Sequence, residues 1–240
     1  MTRSSRTLNL IAAVAAVFAL ACAVDPAAEP PSPASDRPAA TSTVPGQQED
    51  GTMTEAEFAS DLNGAVEIAE SYWTAQFDNA GQQFKPIRQL VPYRRSGEVA
   101  CGDQPLPGNN AAYCSAGDFI AYDSDWAVAA FQKIGDAFLF YLLGHEYAHG
   151  VQLRLGHDFS SSIDTELQAD CMAGAYIGDS VRAKALSLQD GDLEELRTGL
   201  AAVGDDPDQP WFAPNAHGTA AQRTRAFFAG YERSLGACNL

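Results

Sequence analysis

Positive charge is in short supply in this chain. Fifteen Lys and Arg stand against 31 Asp and Glu, a net charge of −16. Nucleic acid and anionic membrane surfaces both call for clustered cations, so neither is expected as a partner. A C-x-x-C pair is also missing, which argues against a zinc site built from cysteines. The apolar run Leu8 to Leu20 is too short to span a bilayer. Residues 23–52, dominated by Ala, Pro, Ser, Thr and Asp, show no apolar periodicity. Such a segment cannot bury enough surface to offset its ordering entropy, and a flexible tether is expected there.

The N-terminus has what an export signal needs. Arg3 and Arg6 precede the apolar run, which ends in Ala19-Leu20-Ala21. Cys22 follows, and Phe18-Ala19-Leu20-Ala21-Cys22 resembles a bacterial lipobox with its Leu and small residue in swapped order. Two outcomes stay open: lipidation of Cys22, or ordinary cleavage near Ala21 or Ala23. The expected division is therefore a signal over 1–21, a tether over 22–52 and a folded domain over 53–240. The remaining cysteines, Cys101, Cys114, Cys171 and Cys238, are even in number, as an oxidising compartment favours. Of three possible pairings, Cys101–Cys114 and Cys171–Cys238 are preferred. The first closes a local loop and the second pins the C-terminal tail.

Within the domain, Thr54 and Glu57 form a capping box for a helix reaching about residue 79, with an apolar stripe from Phe58 to Phe77. Ile87 to Tyr93 reads as a strand, and Cys101 to Cys114, rich in Gly, Pro and Asn, as a loop. Asp118 to Asp123 alternates polar and apolar residues. It is expected to be an edge strand, either purely structural or open to pairing with an extended peptide. Trp126 to Leu155 is helical with an interruption near Gly135. Its run Phe138 to Leu143 leaves no polar face, so burial on nearly all sides is expected.

On that apolar helix sits His145-Glu146-Tyr147-Ala148-His149. Two His four apart differ by about 40° in azimuth and one turn in height, so both imidazoles can grip one metal ion. Glu146 beside them suits a general base acting on a metal-activated water, the pattern of zinc hydrolases. Unpaired, these groups would be costly in so apolar a setting; a metal relieves that cost. A second helix follows, with Glu166 placed to turn back toward the metal as third ligand. Asp170, one turn on, can accept the free N–H of a ligand imidazole. The alternative for this Glu-x-x-x-Asp pair is a solvated acidic face. His157 is a rival ligand by type only. A metzincin needs Gly and His where this chain has Gln152 and Leu155, so His157 reads as a loop residue. A helix from Asp192 to Val203 and a last one capped by Thr219 and Gln222 complete the domain. His217, just before the last helix, reads either as a loop or capping residue or as part of the site.

Taken in order, H-E-Y-A-H, E-L-Q-A-D-C and H-G-T-A-A-Q-R resemble the bacterial neutral zinc metallopeptidases, a zincin-like family of gluzincin type. The likeness covers roughly residues 54–240. It implies an α+β fold, mainly helical, with a small β-sheet whose edge strand precedes the H-E-x-x-H helix. It implies one Zn²⁺ held by His145, His149 and Glu166, with Glu146 as catalytic base and Asp170 behind a ligand His. By analogy with gluzincins, His217 would hydrogen-bond the tetrahedral intermediate. The expected partner is a peptide or protein substrate, with membrane contact through a lipid anchor only. The rival is a surface lipoprotein that uses its metal structurally and serves as a binding or assembly factor. A third reading is a metal hydrolase cleaving a non-peptide bond.

Overall fold

The structure, a computed structural model, describes residues 53–157, 162–208 and 216–240. The expected signal over 1–21, the lipidation candidate Cys22 and the tether over 22–52 lie outside the described residues. The fold is α+β, mainly helical with a small mixed sheet.

Helix α1, Glu55–Asn79, opens on the Thr54–Glu57 capping box and buries Phe58, Leu62, Tyr72, Trp73 and Phe77 along one face. Strands follow at β1 (Gln89–Tyr93), β2 (Ala100–Cys101), β3 (Gln104–Pro105), β4 (Ala111–Cys114) and β5 (Phe119–Asp123). Helices α2 (Ser124–Ile134) and α3 (Asp136–Leu155) are separated at Gly135, whose φ of 129° few side chains tolerate. The interruption expected near Gly135 is thus a true helix break. Then come α4 (Ser162–Arg182), α5 (Asp192–Ala202) and α6 (Ala220–Arg233), the last capped by Thr219 and Gln222 as expected.

Two expectations about the sheet need correcting. Its order is β1-β5-β4, with β1 parallel and β4 antiparallel to β5. The strand before the metal-motif helix, β5, is therefore central and not an edge. Pairing on both sides buries it, with Ile120 at 2% and Ala121 at 0% exposure. The edges are β1 and β4, and β4 lies inside the stretch read as a loop. Two physical facts hid it: four residues, Ala111-Ala112-Tyr113-Cys114, are too few to show a period, and Asn109 and Asn110 beside them signal a turn. The same stretch also holds the small β2–β3 hairpin.

Both preferred disulfides form, Cys101–Cys114 and Cys171–Cys238. The first ties edge strand β4 to the hairpin. The second ties α4 to the C-terminal tail. Helix α3 is buried along most of its length, with Phe138, Leu139, Phe140, Tyr141, Tyr147 and Val151 all in the core. Helices α4 and α6 pack unusually close. A Cβ on Gly174 would lie 1.9 Å from the Phe227 carbonyl oxygen, and one on Gly230 would lie 1.8 Å from that of Cys171. Only glycine permits this approach, and it brings the start of α6 against the buried face of α4. Among the described residues, no helix is long and apolar enough to cross a membrane.

Candidate metal centre

Helix α3 carries His145, Glu146 and His149, and α4 crosses it with Glu166 and Asp170. Their helical spacing turns the His pair to one side and Glu166 toward it. His145 Nε2 lies 3.2 Å from His149 Nε2 and 3.1 Å from Glu166 Oε2, while His149 Nε2 lies 3.5 Å from Glu166 Oε1. A tetrahedral zinc ion with bonds of about 2.0–2.1 Å has ligand-to-ligand edges of about 3.3–3.4 Å. The three donors therefore have the spacing such an ion requires.

The hydrogen-bond partners strengthen this fit. Asp170 Oδ1 takes the Nδ1–H of His145 at 2.9 Å, and Gln152 Oε1 takes that of His149 at 2.9 Å. Each imidazole then turns an Nε2 lone pair inward, toward the other ring and the Glu166 carboxylate. One proton cannot serve three converging acceptors; a cation can. Burial alone would lower the pKa of His145, but Asp170 and Glu166 outweigh it and raise it to about 10. Burial would likewise raise Glu166, yet both imidazoles hold it well below the usual carboxylate range. The site is built for positive charge, and its two nitrogens and one carboxylate are a donor set that zinc accepts.

Asp170 is fully buried and multiply bonded. Besides His145 it accepts from the Tyr141 hydroxyl at 2.8 Å and from Arg223 Nε and Nη2, both at 2.9 Å. Burial would raise its pKa, but Arg223 and His145 hold it below the ordinary Asp value. Arg223, on α6, also donates to the Tyr141 oxygen and the Val203 carbonyl, each at 2.8 Å. The solvated-face alternative for Glu166 and Asp170 does not describe this chain.

Glu146 faces a cleft of about 740 Å³ together with His145, His149, Glu166 and His217. Its Oε2 accepts the main-chain N–H of Tyr113, on β4, at 2.7 Å. Burial pushes its pKa up against the opposing pull of His145 and His149. A carboxylate with raised proton affinity beside a metal site has the character of a general base.

Comparison with known proteins gives the site a family. The chain matches, over residues 3–239, the family described as "Putative neutral zinc metallopeptidase". It belongs to that family. Its curated relatives include the uncharacterized protein YpfJ of Escherichia coli (strain K12), 31% identical over 68% of this chain and 64% of YpfJ. The uncharacterized proteins Mb2605 of Mycobacterium bovis and Rv2575 of Mycobacterium tuberculosis are each 32% identical over 57% of this chain and 57% of their own length. The chain thus spans less than two thirds of the length of the curated relatives it matches. No solved structure matches.

For a member of this family, zinc is the metal implied, and the His145–His149–Glu166 cluster is where it fits. His157 stands at the end of α3, outside that cluster. His217 lies on the cleft with its side chain 47% exposed, its Nδ1 3.5 Å from Asp205 Oδ1 and its main-chain N–H donating to Asp205 Oδ2 at 2.6 Å. Sequence reasoning missed four contributors: Tyr141, Gln152, Arg223 and the Tyr113 N–H. Tyr141 sat within an apolar run, and Gln152 counted only as the occupant of a metzincin glycine position. Arg223 closes the H-G-T-A-A-Q-R string, so a buried Asp in search of a cation was the one available signal. A main-chain N–H has no signature in sequence.

Proposed function

We propose that this chain is an exported zinc-dependent peptidase, anchored to the cell surface through a lipidated Cys22 and the 22–52 tether. The observation that carries the reading is the convergence of His145 Nε2, His149 Nε2 and a Glu166 oxygen in a cleft shared with Glu146. In this reading those three side chains would hold one zinc ion, and three protein donors are the number found in catalytic sites, where closed structural sites use four. When bound, zinc supplies Lewis acidity toward a substrate carbonyl and an attacking water.

The chain's own groups supply the rest. Glu146, steadied by Tyr113 and raised in proton affinity by burial, takes the proton of the attacking water and delivers it to the leaving amine. An extended peptide lies along β4. Tyr113 directs its N–H to Glu146 and so away from β5. By the alternation of antiparallel pairing, Ala111 presents its N–H and C=O on that same side, where a peptide main chain can bond. His217, oriented by Asp205, stands on the cleft as a donor for developing negative charge. The two disulfides support export, since such bonds persist in oxidising compartments.

The test is digestion of a mixed-peptide library with and without a chelator. Cleavage that stops with the chelator and returns with added zinc is expected. A zinc-loaded protein that cleaves nothing would instead favour the surface lipoprotein acting as a binding or assembly factor. Replacing His217→Ala should lower kcat by about 10²–10³-fold at unchanged zinc content, the usual loss for a transition-state donor. Unaltered kcat would remove His217 from the mechanism.

A further inference from the structure

The partner of His145 is a buried carboxylate, but the partner of His149 is an amide, and that amide is part of a longer chain. Gln152, at 0% exposure, accepts from His149 Nδ1 and donates through Nε2 to the Thr165 carbonyl and to Gln168 Oε1, both at 2.9 Å. Gln168 Nε2 in turn donates to the main-chain carbonyls of Cys238 at 3.2 Å and Asn239 at 3.0 Å. The tail bearing those carbonyls is bonded to α4 by Cys171–Cys238.

The direction of every bond in this series follows from its ends. Main-chain carbonyls only accept, so Gln168 must turn its NH₂ to the tail and its oxygen to Gln152. Gln152 must then turn its NH₂ to Thr165 and Gln168 and its oxygen to His149. Gln152 is fully buried, and flipping it would set its oxygen against the Thr165 carbonyl and its NH₂ against the His149 Nδ1–H, at a cost well above that of an exposed mismatch. Flipping the half-buried Gln168 would forfeit its bonds to both tail carbonyls and from Gln152. His149 is left one choice, the Nδ1–H tautomer, with its Nε2 lone pair aimed at Glu166 and His145.

We propose that Gln152 and Gln168, wired to the disulfide-pinned C-terminal tail, are positioning residues that fix the tautomer and orientation of His149 and thereby retain the metal. The inference rests on the metal-site reading above. It makes the last residues of the chain part of the metal centre, although they touch no ligand.

The experiment measures zinc affinity by competition with a chromogenic chelator, on the full chain, with both disulfides intact in every protein except the paired cysteine variant. Gln152→Leu should bind zinc about 10- to 100-fold more weakly, the usual consequence of removing a partner behind a ligand His. Gln168→Leu and the paired Cys171→Ala/Cys238→Ala variant should shift affinity in the same direction by a smaller factor. ¹⁵N imidazole spectra of the zinc-free protein provide a signature that general destabilisation does not produce. His149 should be the Nδ1–H tautomer in the wild type and a tautomer mixture in Gln152→Leu. Should Gln152→Leu fail to fold, Gln168→Leu decides by the same two measurements. Equal affinity and unchanged tautomer in folded variants overturn the proposal and leave the metal site standing. A wild type that binds no zinc overturns both.

Discussion

Glu146→Gln is expected to keep its zinc and lose peptide cleavage by about 10²–10⁴-fold, the range that a positioned acid–base group contributes. Glu146 is not one of the three converging donors, so the amide leaves the metal cluster intact. Gln is close in size and keeps an oxygen to accept the Tyr113 N–H now found at 2.7 Å. What disappears is the ability to take a proton. Burial raises the pKa of Glu146 while His145 and His149 lower it, so the carboxylate remains ionisable yet more basic than an exposed one. Zinc content and kcat/KM measured on one preparation decide the matter. Full activity in the variant would end the assignment of Glu146 as base, and loss of zinc would show that it acts on the metal.

Asp170→Asn should reduce both stability and metal affinity, for separable reasons. Arg223 donates twice to Asp170 at 2.9 Å and is itself 5% exposed. Removing the carboxylate strands a buried guanidinium, which typically costs about 3–5 kcal/mol. For a domain of this size that corresponds to a melting temperature lower by roughly 6–20 °C. The amide can still accept from His145 Nδ1 but pulls on it less, and metal affinity should fall by about 10- to 100-fold. Pairing the change with Arg223→Met separates the two effects. The double variant should regain much of the melting temperature, because no unpaired charge is left, without regaining zinc affinity. An Asp170→Asn protein that melts like the wild type would show that Arg223 finds compensation elsewhere.

Residues adjacent in sequence and locked to one helical surface were readable in advance. His145, Glu146 and His149 keep their relation in any α-helix, and Glu166 and Asp170 keep theirs one turn apart, so each group stands out as a candidate from its spacing. The capping boxes at Thr54 and Thr219 and the break at Gly135 were equally local, set by side-chain reach and backbone sterics. Cysteine number and loop closure pointed to both disulfides.

What crosses between elements was decided by tertiary structure. Sheet order depends on which strand finds a second neighbour. A four-residue strand such as β4 carries too few side chains to declare itself, so the residue pattern alone points to β5 as an edge. Arg223 reaches Asp170 only because glycines let α6 press against α4. Gln152 matters because packing buries it fully against His149, and the half-buried Gln168 links it to the tail carbonyls. The sequence by itself singled out His145, Glu146 and His149 on one helix and Glu166 and Asp170 on the next, because those spacings are local, while their convergence came with the crossing of the two helices. The Tyr113 N–H that meets Glu146 and the hydrogen bonds behind His145 and His149 exist only once the helices and sheet have packed.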